Sequence, residues 1–140
     1  MRTFSRVMLA FAAVLFAAAA AWGRDVPLLA AAQLPSEARD VLKRIEAGGP
    51  FKYDRDGIDF GNRERLLPAE ARGYYREYTV DTPGLKHRGA RRLVIGCPRP
   101  GVAMRKAAAP GAFTGFRDCT GPAHVYYTDD HYQSFRGVTP

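Results

Sequence analysis

The chain has 140 residues, 46% of them apolar, 25% charged and 11% aromatic. These values describe one globular domain and exclude a multi-domain machine and a disordered chain. Lys plus Arg is 21 against 14 Asp plus Glu, a net charge of +7, while two cysteines and three scattered histidines give neither a zinc finger nor a disulfide-rich mini-scaffold.

Arg2 and Arg6 precede an unbroken, alanine-rich apolar run over residues 7–22. A basic start, a hydrophobic middle and small residues at the end predict a secretory signal peptide over 1–23, cleaved after Ala21 or Gly23. The alternative, an uncleaved anchor, is disfavoured because the run is short of the roughly 20 residues that span a bilayer. The mature chain stays basic. Export, to the periplasm or the medium, places Cys97 and Cys119 in an oxidising compartment where a disulfide between them persists; metal ligation and two free thiols are the alternatives. Residues 24–33 read as a short tether.

Leu34-Pro35-Ser36-Glu37 opens a helix, with proline in the first turn and an acid at the positive end of the dipole. Ala38, Val41, Leu42 and Ile45 form one apolar stripe, and Gly48-Gly49-Pro50 ends the helix. Everything afterwards reads as strand and turn. The strands are expected over 58–60, 74–80, 91–96, 124–128 and 134–138, from their aromatic and β-branched content. Asp56-Gly57 and Thr82-Pro83-Gly84 are turn signals. Residues 98–121, rich in Pro, Gly and Ala, form a long irregular insert. The predicted class is α+β: one N-terminal helix on a twisted antiparallel β-sheet whose other face is open, in a domain over 34–138.

Alternation sorts the strand residues by face. Tyr75, Glu77 and Thr79 share one side; Tyr74, Tyr78 and Val80 share the other, assigned to the helix and core. Arg91 and Arg92 point to opposite faces, so Arg92 can join Glu77 on the open one, with Arg88 reaching in from the preceding loop. Taken alone, that is an ordinary surface ion pair. His87 and His124 have no supporting context. His131 follows Thr128-Asp129-Asp130 in a turn, and those acidic neighbours favour its protonated form.

Phe60-Gly61-Asn62-Arg63-Glu64 completes a longer pattern. With Gly73-Tyr74-Tyr75-Arg76-Glu77-Tyr78-Thr79-Val80, Thr82-Pro83-Gly84, Arg88-Gly89-Ala90-Arg91-Arg92 and Tyr126-Tyr127-Thr128-Asp129-Asp130-His131-Tyr132-Gln133-Ser134-Phe135, it resembles the small secreted microbial guanyl-specific ribonucleases, the barnase and ribonuclease Sa family. The likeness runs from about Leu34 to Val138. Gly61 departs from it, standing where a larger polar residue is expected, and the 97–121 insert is longer than the tight turn it implies.

The resemblance implies an endonuclease that cleaves single-stranded RNA after guanosine through a 2′,3′-cyclic phosphate, with no metal or other cofactor. By motif, Glu77 is the general base, His131 the general acid, and Arg88 and Arg92 the phosphate clamp. Phe60, Asn62, Arg63 and Glu64 take the guanine, with Phe60 or Tyr132 stacking on it. The resemblance also implies an acidic intracellular inhibitor of the barstar type. DNA, lacking the 2′-OH, is expected to be inert. The chain is expected to act as a monomer without stable membrane association after cleavage.

Two other readings remain: a catalytically silent RNA-binding or toxin-like module on the same fold, and a basic envelope protein. In a meander, successive turns alternate between sheet ends, so the insert is expected opposite the Arg88 and His131 loops. Its Arg99, Arg105, Lys106 and Arg117 are expected to add long-range attraction for RNA.

Overall fold

The computed structural model describes residues 26–102 and 112–140; the signal-peptide reading over 1–23, together with Arg105 and Lys106, lies outside them. Among the described residues no helix is long and apolar enough to cross a membrane.

Helix α1, Ser36–Ala47, begins after Pro35 and ends at Gly48, whose φ of 81° is the left-handed cap that glycine adopts without cost. Its stripe buries Ala38, Leu42 and Ile45 against one face of a six-stranded sheet. The strands are β1 (Leu28–Ala30), β2 (Ile58–Asp59), β3 (Tyr75–Thr79), β4 (Arg92–Gly96), β5 (His124–Thr128) and β6 (Arg136–Thr139), in the spatial order β1-β6-β5-β4-β3-β2. From β2 to β6 every pairing is antiparallel.

The stretch read as a tether departs from expectation. Residues 28–30 pair in parallel with β6, Leu28 opposite Gly137 and Ala30 opposite Thr139, and Ala31–Gln33 make one 3-10 turn. The sheet is therefore mixed. Three apolar residues carry no periodicity, and their partner strand lies at the far end of the chain, so local patterning could not reveal the pairing.

Strand β4 is buried along its whole length, because both faces are covered. Leu93 and Ile95 enter the helix-side core with Val80, Val125, Tyr127 and Val138. Val94 enters a second cluster on the opposite face with Leu67, Tyr74, Tyr75, Tyr126 and Phe135. Tyr74 thus packs away from the helix, contrary to its assignment by alternation. It precedes β3 and follows Gly73, at φ 83°, so the strand's period does not extend to it. Gly96 makes room: a Cβ there would meet the Tyr74 and Tyr75 rings at 2.5 and 2.6 Å.

The β4–β5 insert lies at the sheet end opposite the β3–β4 and β5–β6 loops, as the meander requires. Cys97 and Cys119 form a disulfide, and Phe113 and Phe116 drop into the helix-side core. Arg99 is not a surface cation. It is buried, and its guanidinium donates to the carbonyls of Gly73 and Tyr74 at 2.7 and 2.8 Å, tying the insert to the start of β3. Arg117 is exposed.

Candidate active site

Residues facing each other across antiparallel strands share a face. Glu77 opposes Val94, and Thr79 opposes Arg92, so Glu77, Thr79 and Arg92 meet on the side away from α1, as alternation predicts. Glu77 is 7% exposed and Arg92 only 2%. A carboxylate and a guanidinium so deep need partners. The Tyr132 hydroxyl donates to Glu77 Oε2 at 2.8 Å and itself accepts from Arg92 Nε at 3.1 Å. Tyr132 therefore bridges acid and base, and burial, reinforced by the Glu77 carboxylate, pushes its phenol up to about 12.

Arg88 Nη2 lies 3.8 Å from Glu77 Oε1. Thr79 Oγ1 accepts from Arg88 Nε and Nη2 at 3.0 and 2.8 Å, while Arg92 Nη1 donates to the carbonyls of Gly89 and Arg91. Arg88 Nη1 and Arg92 Nη2 have no acceptor among the described residues. Two anchored guanidiniums, each with an edge to spare, make an arrangement able to take an oxyanion.

His131 sits on the β5–β6 turn with φ 57°, followed by Tyr132 at 70°. Two consecutive non-glycine residues in the left-handed region are strained and persist only where neighbours hold them. Here the His131 N–H donates to Ala90 O at 3.1 Å, and the Tyr132 N–H donates to Thr128 Oγ1 at 3.2 Å. Asp130 is spent inside the turn, accepting from Thr128 Oγ1 and from the Gln133 and Ser134 amides. Burial alone would raise its carboxyl, but these bonds and that of the Ser134 hydroxyl hold it below the usual range. Among the described residues neither Asp129 nor Asp130 forms an ion pair with His131. Asp130 thus builds the turn that presents the imidazole.

The Phe60–Glu64 segment curls around Asn62, at φ 47°. The Asn62 side chain donates to Leu67 O at 2.9 Å and accepts from Leu67 N at 3.1 Å, closing the loop on itself. The backbone N–H groups of Asn62, Arg63 and Glu64 have no acceptor among the described residues. A single cleft of about 800 Å³ is lined by Phe60, Asn62, Arg63 and Glu64 at one end and Glu77, His131 and Tyr132 at the other. Arg88 and Arg92 adjoin the lining, beside Glu77 and the Tyr132 hydroxyl respectively. The Phe60 and Tyr132 rings stack, centroids 5.1 Å apart and 25° between planes.

Sequence reasoning did not single out Thr79, Thr128 or Asn62's side chain as supports, nor Arg55, which also lines the cleft. Thr79 was within reach, since it shares Glu77's face. His124, in contrast, packs beside Tyr74, their ring nitrogen and hydroxyl 3.2 Å apart, where burial lowers its pKa. His87 accepts from the Gly89 amide. Neither joins the cleft.

Comparison with known proteins gives one consistent picture. The family model described as ribonuclease matches residues 18–139. Guanyl-specific ribonuclease Sa3 of Kitasatospora aureofaciens is 46% identical over 105 residues, 75% of this chain and 58% of Sa3. The chain thus spans under two thirds of that relative's length. Guanyl-specific ribonuclease St of Saccharopolyspora erythraea is 43% identical over 105 residues, covering 75% of this chain and 80% of St. The crystal structure of ribonuclease Sa2 with guanosine-2′-cyclophosphate superposes with a TM-score of 0.59 at 36% identity, over 82% of this chain and 97% of Sa2.

Proposed function

This chain belongs to the ribonuclease family, among its microbial guanyl-specific members, and on that premise we propose that it cleaves single-stranded RNA on the 3′ side of guanosine. The observation that carries the proposal is the shared cleft. A buried carboxylate beside two anchored guanidiniums lies at one end with an exposed imidazole, and a loop with three unengaged amides lies at the other.

Glu77 removes the proton from the guanosine 2′-OH, and the resulting oxygen attacks the adjacent phosphorus in line. His131 protonates the departing 5′-oxygen, leaving a 2′,3′-cyclic phosphate. Water then opens the ring to a 3′-phosphate, with the acid and base roles exchanged. Charge accumulating on the non-bridging oxygens falls to Arg88 and Arg92, which their carbonyl and hydroxyl partners have already oriented. No metal is needed in this scheme.

Glu64 accepts from guanine N1–H and the 2-amino group, while the Asn62 and Arg63 amides donate to O6. Adenine would leave those groups unpaired, a costly mismatch. Phe60 supplies the apolar platform for the base, and Tyr132, already stacked on Phe60, closes it from the catalytic side.

The chain is further proposed to be exported, to act as a monomer, and to be answered inside its producer by an acidic inhibitor of the barstar type. The decisive experiment is dinucleotide cleavage by the purified protein. GpU is cut well ahead of ApU, a cyclic intermediate accumulates, EDTA changes nothing, and dGpdU is inert. Binding without turnover would instead make this a silent RNA-binding module. Loss of activity on chelation, or equal cutting of the deoxy substrate, would end the mechanism.

A further inference from the structure

Behind the guanine loop lies a second groove of about 730 Å³. It shares Asp59, Phe60, Gly61, Asn62 and Arg63 with the catalytic cleft, but none of Glu77, His131 or Tyr132. The two hollows therefore flank one loop, the base-reading one. The lining of the second includes the small residues Ala69, Ala71 and Gly73 and three arginines, Arg63, Arg65 and Arg72.

All three arginines are exposed, and among the described residues none of them forms an ion pair. Asp59 and Glu70 also line the groove, so the net positive charge is small. Arg65 holds φ 54°, a strained conformation for a residue with a side chain. Its amide donates to Asn62 O at 3.0 Å, so the turn that shapes the guanine loop also fixes where Arg65 emerges.

The polarity of RNA assigns a direction. If guanine occupies the Phe60–Glu64 loop and its 3′ phosphate lies between Glu77 and His131, the downstream strand leaves beyond the catalytic residues. The chain joined through the guanosine 5′-oxygen starts from the same ribose that carries the base, and the groove adjoining the base-reading loop is lined by none of Glu77, His131 and Tyr132. We propose that this groove is a subsite for the nucleotide upstream of the cleaved guanosine, with Arg65 and Arg72 contacting the phosphate on the guanosine 5′-oxygen. The small residues of the lining take a base without selecting among the four. This inference rests on the base-reading role of the 60–64 loop.

The test compares GpU, UpGpU and GpUpU cleavage at the G–U bond by the wild type and by the Arg65→Gln/Arg72→Gln double variant. Upstream extension is expected to raise kcat/KM about fivefold to tenfold at low salt, a gain that shrinks as salt screens the contacts. The double variant loses most of that gain while its GpU rate stays within about twofold, and Arg65→Lys/Arg72→Lys restores much of it. Binding of the same three sequences carrying 2′-O-methylguanosine gives a readout without turnover, so failure of catalysis does not mask the result. An upstream gain that is absent, or that survives in the double variant, overturns the proposal. So does a variant that loses the downstream gain instead. A wild type that binds UpGpU more tightly than GpU through Arg65 and Arg72, yet cuts neither, would sink the catalytic reading and leave the subsite standing.

Discussion

The two ends of the same antiparallel strands are held by opposite means. At one end the β3–β4 and β5–β6 loops are joined by His131 N–H to Ala90 O, and the β3–β4 loop is held within itself by Arg92 to Gly89 O and Arg88 to Thr79 Oγ1. At the other, the β4–β5 insert is held by a disulfide, two buried phenylalanines and the buried Arg99. The polar end tolerates left-handed backbone at His131 and Tyr132 and keeps guanidinium edges unengaged. The insert adds a covalent staple and buried rings with none of its residues in the cleft. The catalytic groups and the staple thus sit toward opposite ends of one sheet, while the base-reading loop, whose Phe60 N–H donates to Tyr75 O, leaves from the stapled end.

The largest expected effect at the polar end comes from the base. Glu77→Gln should lower kcat/KM on GpU by about 10²- to 10⁴-fold; a variant that keeps its rate would show that the buried carboxylate is structural. Next is specificity. Glu64→Gln should reduce the GpU-to-ApU ratio about 10- to 100-fold, since a bidentate, charge-assisted acceptor becomes a neutral one. An unchanged ratio would move guanine recognition elsewhere.

The staple offers the converse experiment. Cys97→Ala with Cys119→Ala should cost about 3 kcal/mol in urea unfolding, the loop-closure value for a bridge of this span, while the GpU rate at 25 °C stays the same. A parallel loss of activity would mean the two ends are coupled.

The smallest effect is a pH dependence. Asp130 titrates lower in the folded chain than in the unfolded one, so the unfolded state binds more protons between those two values. Its stabilisation is complete above the unfolded carboxyl value of about 3.9 and is lost as pH falls through the folded one. The stability difference between wild type and Asp130→Asn should stay constant above about pH 5 and shrink below about pH 4. A difference that grows on acidification contradicts the turn's construction.

Much of this was legible where a local period operates. The α1 stripe announced Ala38, Leu42 and Ile45, and the two-residue period put Glu77 and Arg92 on one face. The assignments failed where the period stops. Tyr74 lies one residue before β3, and Gly73 and Gly96 decide its direction. Parallel pairing of β1 with β6 joins opposite ends of the chain, which no window of sequence contains. Arg99 carries a charge that residue type places at the surface, yet it is buried where its guanidinium meets the Gly73 and Tyr74 carbonyls just before β3. Left-handed backbone at Asn62, His131 and Tyr132 is unreadable too, because none of the three is glycine, and Ala90, whose carbonyl holds the His131 amide, comes from another loop.

Leaving-group dependence measures the division of labour between Glu77 and His131 most directly. With a guanosine 3′-phosphate ester of an acidic phenol, departure needs no proton, whereas attack by the 2′-oxygen still needs a base. His131→Ala should regain most of its lost rate on that ester relative to GpU, and Glu77→Ala should regain little. Equal recovery by both variants, or recovery by Glu77→Ala alone, would contradict the assignment of acid and base on which the account of this cleft depends.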